Sequence, residues 1–197
     1  MFGLVGHDDE LVTRLRSGDE DAFVALVRRH QSGLLRLAES VVSSRSVAEE
    51  VVQDTWLAVV RGVDRFEGRS SVKTWLFHIL LNRARTAAGR EHRTVTVRDD
   101  DDVERFDGAG AWAQPSVPWP DQIDDQLVAS ALARRVRSVL PTLPDAQRQV
   151  LVLRDIEGLA SADVSALLGV TDGHQRVLLH RARARVRRHL AMEMEQA

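Results

Sequence analysis

Residues 161–190 read SADVSALLGVTDGHQRVLLHRARARVRRHL, and their spacing predicts a short helix, a turn at Gly169 and a long, increasingly basic helix. Val164, Leu167 and Leu168 give the short helix an apolar face; Ser161 is placed to cap its start, and Gly169 permits the positive φ that ends it. Thr171 is placed to cap the second helix. From Gly173 to Met192 there is no acidic residue, while Arg176, Arg181, Arg183, Arg185, Arg187 and Arg188 accumulate. Such a helix approaches a phosphate backbone without like-charge repulsion, which is the pattern of a DNA-reading helix-turn-helix. A wheel of about 100° per residue puts Gln175, Leu179, Ala182, Val186 and Leu190 on one stripe. Gln175 is therefore either a polar group at a buried edge or a base reader whose amide suits adenine.

Composition bounds the rest. At 197 residues, 44% hydrophobic and 28% charged, the chain is long enough for one large or two small domains with real cores. No apolar run approaches the ~20 residues of a membrane span, and the start MFGLVGHDDE has neither a basic nor an apolar export region, so a cytoplasmic protein without membrane insertion is expected. Zero cysteines exclude disulfides and thiolate zinc sites, and no metal or cofactor is implied. The net charge of −2 hides segregation. Residues 98–125 hold Asp99, Asp100, Asp101, Asp102, Glu104, Asp107, Asp121, Asp124 and Asp125 against Arg98 and Arg105, along with Gly108, Gly110, Pro115, Pro118 and Pro120. That composition predicts a flexible acidic linker. The fold class expected is all-α: a helical domain at 1–97, a linker at 98–125, and a second helical domain at 126–197 that carries the helix-turn-helix.

In the first domain Leu11, Leu15, Phe23, Leu26, Val27, Leu34 and Leu37 recur at helical spacing, with a break at Ser17-Gly18-Asp19. A further helix is expected from near Ser46, with Glu50, Gln53, Asp54 and Arg61 as polar surface. The loop Phe66-Glu67-Gly68-Arg69-Ser70-Ser71 leads into a segment where Lys73, Trp75, Phe77, His78, Asn82 and Arg83 mix aromatic, basic and amide groups. Aromatic faces stack on unpaired bases and cations hold phosphates, so single-stranded DNA is a candidate ligand. Trp75 shares its spacing with Leu76, Ile79 and Leu80 and is assigned to the core, whereas Phe66, in the loop, is expected to be an exposed stacking residue. His78 reads more readily as an ordinary surface histidine than as a phosphate contact.

The run EEVVQDTWLAVVRGVDRFEGRSSVKTWLFHILLNRAR resembles region 2 of bacterial sigma-70-type factors, and LPDAQRQVLVLRDIEGLASADVSALLGVTDGHQRVLLHRARARVRRHL resembles region 4. The two in order resemble an extracytoplasmic-function (group IV) sigma factor, which keeps only those domains. The resemblance implies a subunit that gives the RNA polymerase core its promoter specificity, binds promoter DNA and is commonly held by an anti-sigma protein. By position, Glu50, Gln53, Asp54 and Trp56 match the segment that docks on the polymerase core. Phe66, Gly68, Arg69, Ser70 and Asn82 match the loop and helix that capture an unstacked base of the −10 element, with Lys73, Arg83 and Arg85 holding phosphates. In region 4, Val150, Leu151, Leu153 and Ile156 are expected beneath the helix-turn-helix, whose Thr171, Asp172, His174, Gln175, Arg176, His180, Arg181 and Arg183 fall where the −35 element is read. The segment His174-Gln175-Arg176-Val177-Leu178 departs from the commonest family pattern, in which a later arginine stands where Leu178 is.

Two other classes fit parts of the chain. A helix-turn-helix repressor or activator would leave the first domain's polar helix and the FEGRSSVKTWL segment without a role. A metal-dependent nuclease built on Asp99 to Asp102 lacks a preorganised two-metal site. The linker itself reads as a spacer or as an acidic strand threading a basic channel of the polymerase.

Overall fold

The computed structural model describes residues 5–92, 135–136 and 138–195, so the acidic linker and its boundaries lie outside the described residues. Among the described residues the regular structure is helical, with no strand. The first lobe comprises α1 (Val5–Arg16), α2 (Glu20–Ala38), α3 (Arg45–Gly62), a 3₁₀ turn (Val63–Arg65) and α4 (Val72–His92). The second comprises a 3₁₀ turn (Leu140–Thr142), α5 (Asp145–Leu151) widening into a π turn (Val152–Ile156), α6 (Ser161–Leu168) and α7 (Asp172–Glu195).

Local chemistry sets these boundaries. At the Ser17-Gly18-Asp19 break, Gly18 takes φ +77° and the Asp19 side chain accepts from the backbone N–H of Ala22 at 3.0 Å, capping α2. Arg14 donates to the same carboxylate at 2.8 Å, and these bonds, the Arg14 one foremost, hold Asp19 below the usual carboxylate range. The helix expected near Ser46 begins one residue earlier, because Ser44 caps it by accepting from Val47 N–H at 3.3 Å. Gly169 at φ +70° ends α6, and Thr171 Oγ1 accepts from His174 N–H at 3.2 Å to cap α7. Ser161 does not cap α6: Ala160 occupies the cap position without a side-chain bond, and the Ser161 hydroxyl is directed at α7 instead.

In the first lobe α3 packs on both α2 and α4, burying Leu26, Leu34, Leu37, Val52, Val59, Leu76, Phe77 and Leu80. In the second, α5 and α6 support α7 through Val150, Leu151, Leu153, Val164, Leu167, Leu179, Ala182 and Val186. Ile156 departs from the expectation; the π turn rotates it outward, where it is 36% exposed. The lobes meet where α2 packs on the π turn and α4 on α6. Arg148 and Gln149 of α5 both donate to the Ser40 carbonyl just beyond α2, at 3.2 and 3.3 Å, and Arg85 of α4 donates to the Leu167 carbonyl at 2.9 Å.

Candidate nucleic-acid interface

Helix α3 offers Glu50, Gln53 and Asp54 as exposed polar side chains, with Leu57 and Val60 exposed at 53% and 57% on the following turns. Acidic and amide groups thus run into an apolar ridge on one helix. Trp56 does not join them. It is buried, donates its indole N–H to Gln31 Oε1 at 2.5 Å, and meets Phe23 edge to face at 5.8 Å between centroids. The aromatic expected to anchor a partner helps hold α3 on α2, and the exposed aliphatic pair was missed because helical spacing alone does not say which stripe stays uncovered.

Between α3 and α4 lies a groove of about 570 Å³ lined by Glu50, Asp54, Asn82, Arg83 and Arg90 among others. Arg83 sits 3.5 Å from the Asp54 carboxylate, so a residue matched to polymerase docking and one matched to DNA share an ion pair. Asn82 is exposed, with its amide nitrogen 3.4 Å from His78 Nδ1. The loop preceding α4 presents Gly68 at φ +70° and Arg69, which pairs with Glu67 at 2.8 Å and stays largely in solvent. Ser70 is partly exposed beside it.

Phe66 contradicts its expectation as an exposed stacking residue. It is buried, with its ring 5.0 Å from that of Trp75, so the two close the base of the loop. Arg16 locks the same turn by donating to the Phe66 carbonyl at 2.6 Å. Trp75 is partly buried against the core, as its spacing predicts. Lys73 is also occupied: its ammonium contacts both the backbone carbonyl and the carboxylate of Glu157 in the other lobe.

On α7, His174 and Arg176 are exposed near the start, beside exposed Thr171 and Asp172. Gln175 resolves to the first of its two readings, a buried polar group at 1% exposure. Its Oε1 accepts from Ser161 at 3.0 Å while its Nε2 has no protein partner, so it pins α6 to α7 and does not reach outward. Ser165 adds a second stitch, donating to Asp172 at 2.6 Å. Leu178, where the commonest family pattern carries arginine, is buried at 8%. Arg183 turns inward to grip Asp155, leaving His180 and Arg181 as partly exposed members farther along the helix. Arg185 reaches Gln147 at 3.1 Å. The face open to a groove is consequently the first turns of α7.

This arrangement defines a two-lobed helical factor with a helix-turn-helix in its second lobe. Sigma-70 region 2 matches residues 26–94, and sigma-70 region 4 matches residues 133–186. The sigma-E factor of Escherichia coli K12, described as an extracytoplasmic-function RNA polymerase sigma factor, is 30% identical over 178 residues, spanning 89% of this chain and 90% of its own. Its Haemophilus influenzae counterpart is 30% identical over 179 residues, spanning 89% and 91%. Among solved structures, CnrH bound to the cytosolic domain of CnrY superposes with a TM-score of 0.58 at 27% identity, covering 94% of this chain and 97% of CnrH. The sigma factor RpoE of Bartonella quintana, bound to the anti-sigma factor NepR, gives 0.56 at 26%, covering 85% and 97%. The chain belongs to the extracytoplasmic-function group of the sigma-70 family and is an RNA polymerase sigma factor.

Proposed function

We propose that the first lobe, residues 1–97, docks on the polymerase core through Glu50, Gln53 and Asp54 and captures the −10 strand with Arg69, Ser70, Lys73, Asn82 and Arg83. The second lobe, residues 126–197, reads the −35 element with His174 and Arg176 at the first turns of α7, while residues 98–125 link the two. The observation that supports this reading is the α3–α4 groove, in which the acidic face of α3 lies beside the exposed amide of Asn82. An acidic helix face running into exposed Leu57 and Val60 suits a partner with basic and apolar surface. Regulation runs through an anti-sigma protein, as two superposable factors were solved with such partners or a cytosolic partner domain. The factor acts by binding and strand positioning, without a catalytic residue.

The test is transcription from a promoter-containing library with purified core and this protein. Promoter-specific transcripts that depend on the protein are expected. Binding to duplex sites with no core association would instead identify a repressor or activator, and the proposal would be abandoned.

A further inference from the structure

Glu157 lies at the lobe junction with its side chain only 8% exposed. Arg36 Nη2 approaches its Oε1 at 2.6 Å, Lys73 Nζ approaches its Oε2 at 3.3 Å, and the same ammonium donates to the Glu157 carbonyl. The space for the carboxylate exists because residue 33 is glycine: a Cβ there would lie 2.6 Å from both carboxylate oxygens. Lys73 is further placed over the Phe77 ring, 5.9 Å from its centroid. Two cations from different helices therefore converge on a gap shaped for one anion, and Thr74 beside it contacts Asp163 at 3.2 Å.

We propose that Gly33, Arg36 and Lys73 form a phosphate receptor for the promoter strand, which Glu157 occupies when the lobes are closed. A guanidinium and an ammonium hold a carboxylate or a phosphodiester by the same charge-assisted donors. The receptor continues from the loop carrying Arg69 and Ser70, and this makes a strand phosphate the ligand; the inference rests on the assignment of that loop to the −10 strand. Closing the lobes and binding the strand then exclude each other at one set of atoms. Apparent affinity for DNA is reduced in proportion to the open fraction, so a factor closed about nine-tenths of the time binds about tenfold more weakly than an open one.

The chain has no cysteine, so Arg28→Cys and Ala191→Cys introduce two unambiguous dye positions in the full-length protein. Energy transfer reports closure, and anisotropy with a fluorescent single strand carrying a promoter's −10 element, without core, reports binding. Glu157→Gln is expected to lower transfer and tighten strand binding about tenfold. Gly33→Ala is expected to lower transfer as well, because its Cβ displaces the carboxylate while α2 gains helix propensity; the same Cβ narrows the receptor, so strand binding should not tighten as it does in Glu157→Gln. Adding Arg36→Ala to Glu157→Gln should weaken the strand several-fold and reduce the slope of log affinity against log salt by about 0.7, the value for one phosphate contact on a single strand.

Unchanged transfer in both Glu157→Gln and Gly33→Ala would show that the cradle is no latch. Opening with strand affinity and salt slope insensitive to Arg36 would show a joint between lobes and no phosphate receptor. Either result overturns the inference while leaving wild-type promoter-specific transcription with core intact; loss of that transcription is the separate failure of the functional reading.

Discussion

Arg183 of α7 holds Asp155 of the π turn with two nearly parallel bonds, Nε to Oδ2 at 2.7 Å and Nη2 to Oδ1 at 2.6 Å. A guanidinium in the middle of a basic helix thus serves the interior of its own lobe, setting α7 against the segment beneath it. The pair is only partly exposed, at 33% for the arginine and 15% for the aspartate side chain. Asp155→Asn is expected to cost about 2 kcal/mol of second-lobe stability, because a partly buried guanidinium loses its charged acceptor. Arg183→Lys should recover little of that, since an ammonium cannot reproduce the fork. Calorimetric unfolding of both variants checks this, and a wild-type melting temperature in Asp155→Asn would refute it.

Trp56 and Asp54 are neighbours in sequence with separable consequences. Trp56→Ala removes a buried ring and should destabilise the first lobe by about 3 to 5 kcal/mol, lowering core binding only through loss of fold. Asp54→Arg alters an exposed side chain and breaks its pairing with Arg83, so its melting temperature should stay near wild type while core affinity falls. Isolated duplex binding by the second lobe should be spared. Thermal melts alongside core pull-down distinguish the two, and matched losses of stability in both variants would contradict the placement of Asp54.

The −10 assignment divides similarly between Phe66 and Asn82. Phe66→Leu should keep most of the packing against Trp75 and most of the activity, whereas Phe66→Ala should unfold more easily by about 3 kcal/mol. Asn82→Ala is expected to leave stability unchanged and slow open-complex formation, as seen by permanganate reactivity of unpaired thymines. Normal strand opening in Asn82→Ala removes that residue from the site.

His30 is buried on α2, and burial first, then Lys73 and Arg29, lowers its pKa to about 4, with Glu157 and Asp8 opposing. The unfolded chain therefore takes up a proton near pH 6.5 that the folded chain refuses until about pH 4. Stability is retained above pH 6.5 and falls as the pH drops through that window, with a slope of at most about 1.4 kcal/mol per pH unit. Denaturant titrations from pH 7 to about 4 should show that slope in wild type and a flatter one in His30→Gln, after other carboxylate contributions common to both are subtracted. Parallel curves for the two proteins would rule His30 out as the source.

Apolar periodicity and caps carried the fold well into view. Gly18, Gly169, Thr171 and the Leu179–Ala182–Val186 stripe stand where their chemistry requires. For Trp56 and Phe66 the cause of the error is that spacing gives a helix or loop face but not what covers it. Trp56 and Phe66 read as exposed because each adjoins polar residues, yet each finds an aromatic neighbour on another element, Phe23 on α2 and Trp75 on α4 respectively. Ser161 looked like a cap because local geometry allows one; the competing bond to Gln175 depends on α7 folding back. Arg36 and Glu157 were invisible as a pair, being 121 residues apart with no motif joining them. The polar positions Glu50, Gln53 and Asp54 on α3 and His174 and Arg176 on α7 are exposed, as their charge and amide chemistry led one to expect, whereas the apolar part of α3's open face was not legible.

Lys73 is the sole lysine in a chain otherwise built on arginine, and its partly exposed ammonium is paired with Glu157. Apart from any free amino terminus, the protein therefore offers amine-directed reagents a single target. Acylation kinetics at that nitrogen become a built-in gauge of shape: slow while the two halves embrace, faster once they part, and readable by intact-mass measurement on unlabelled material.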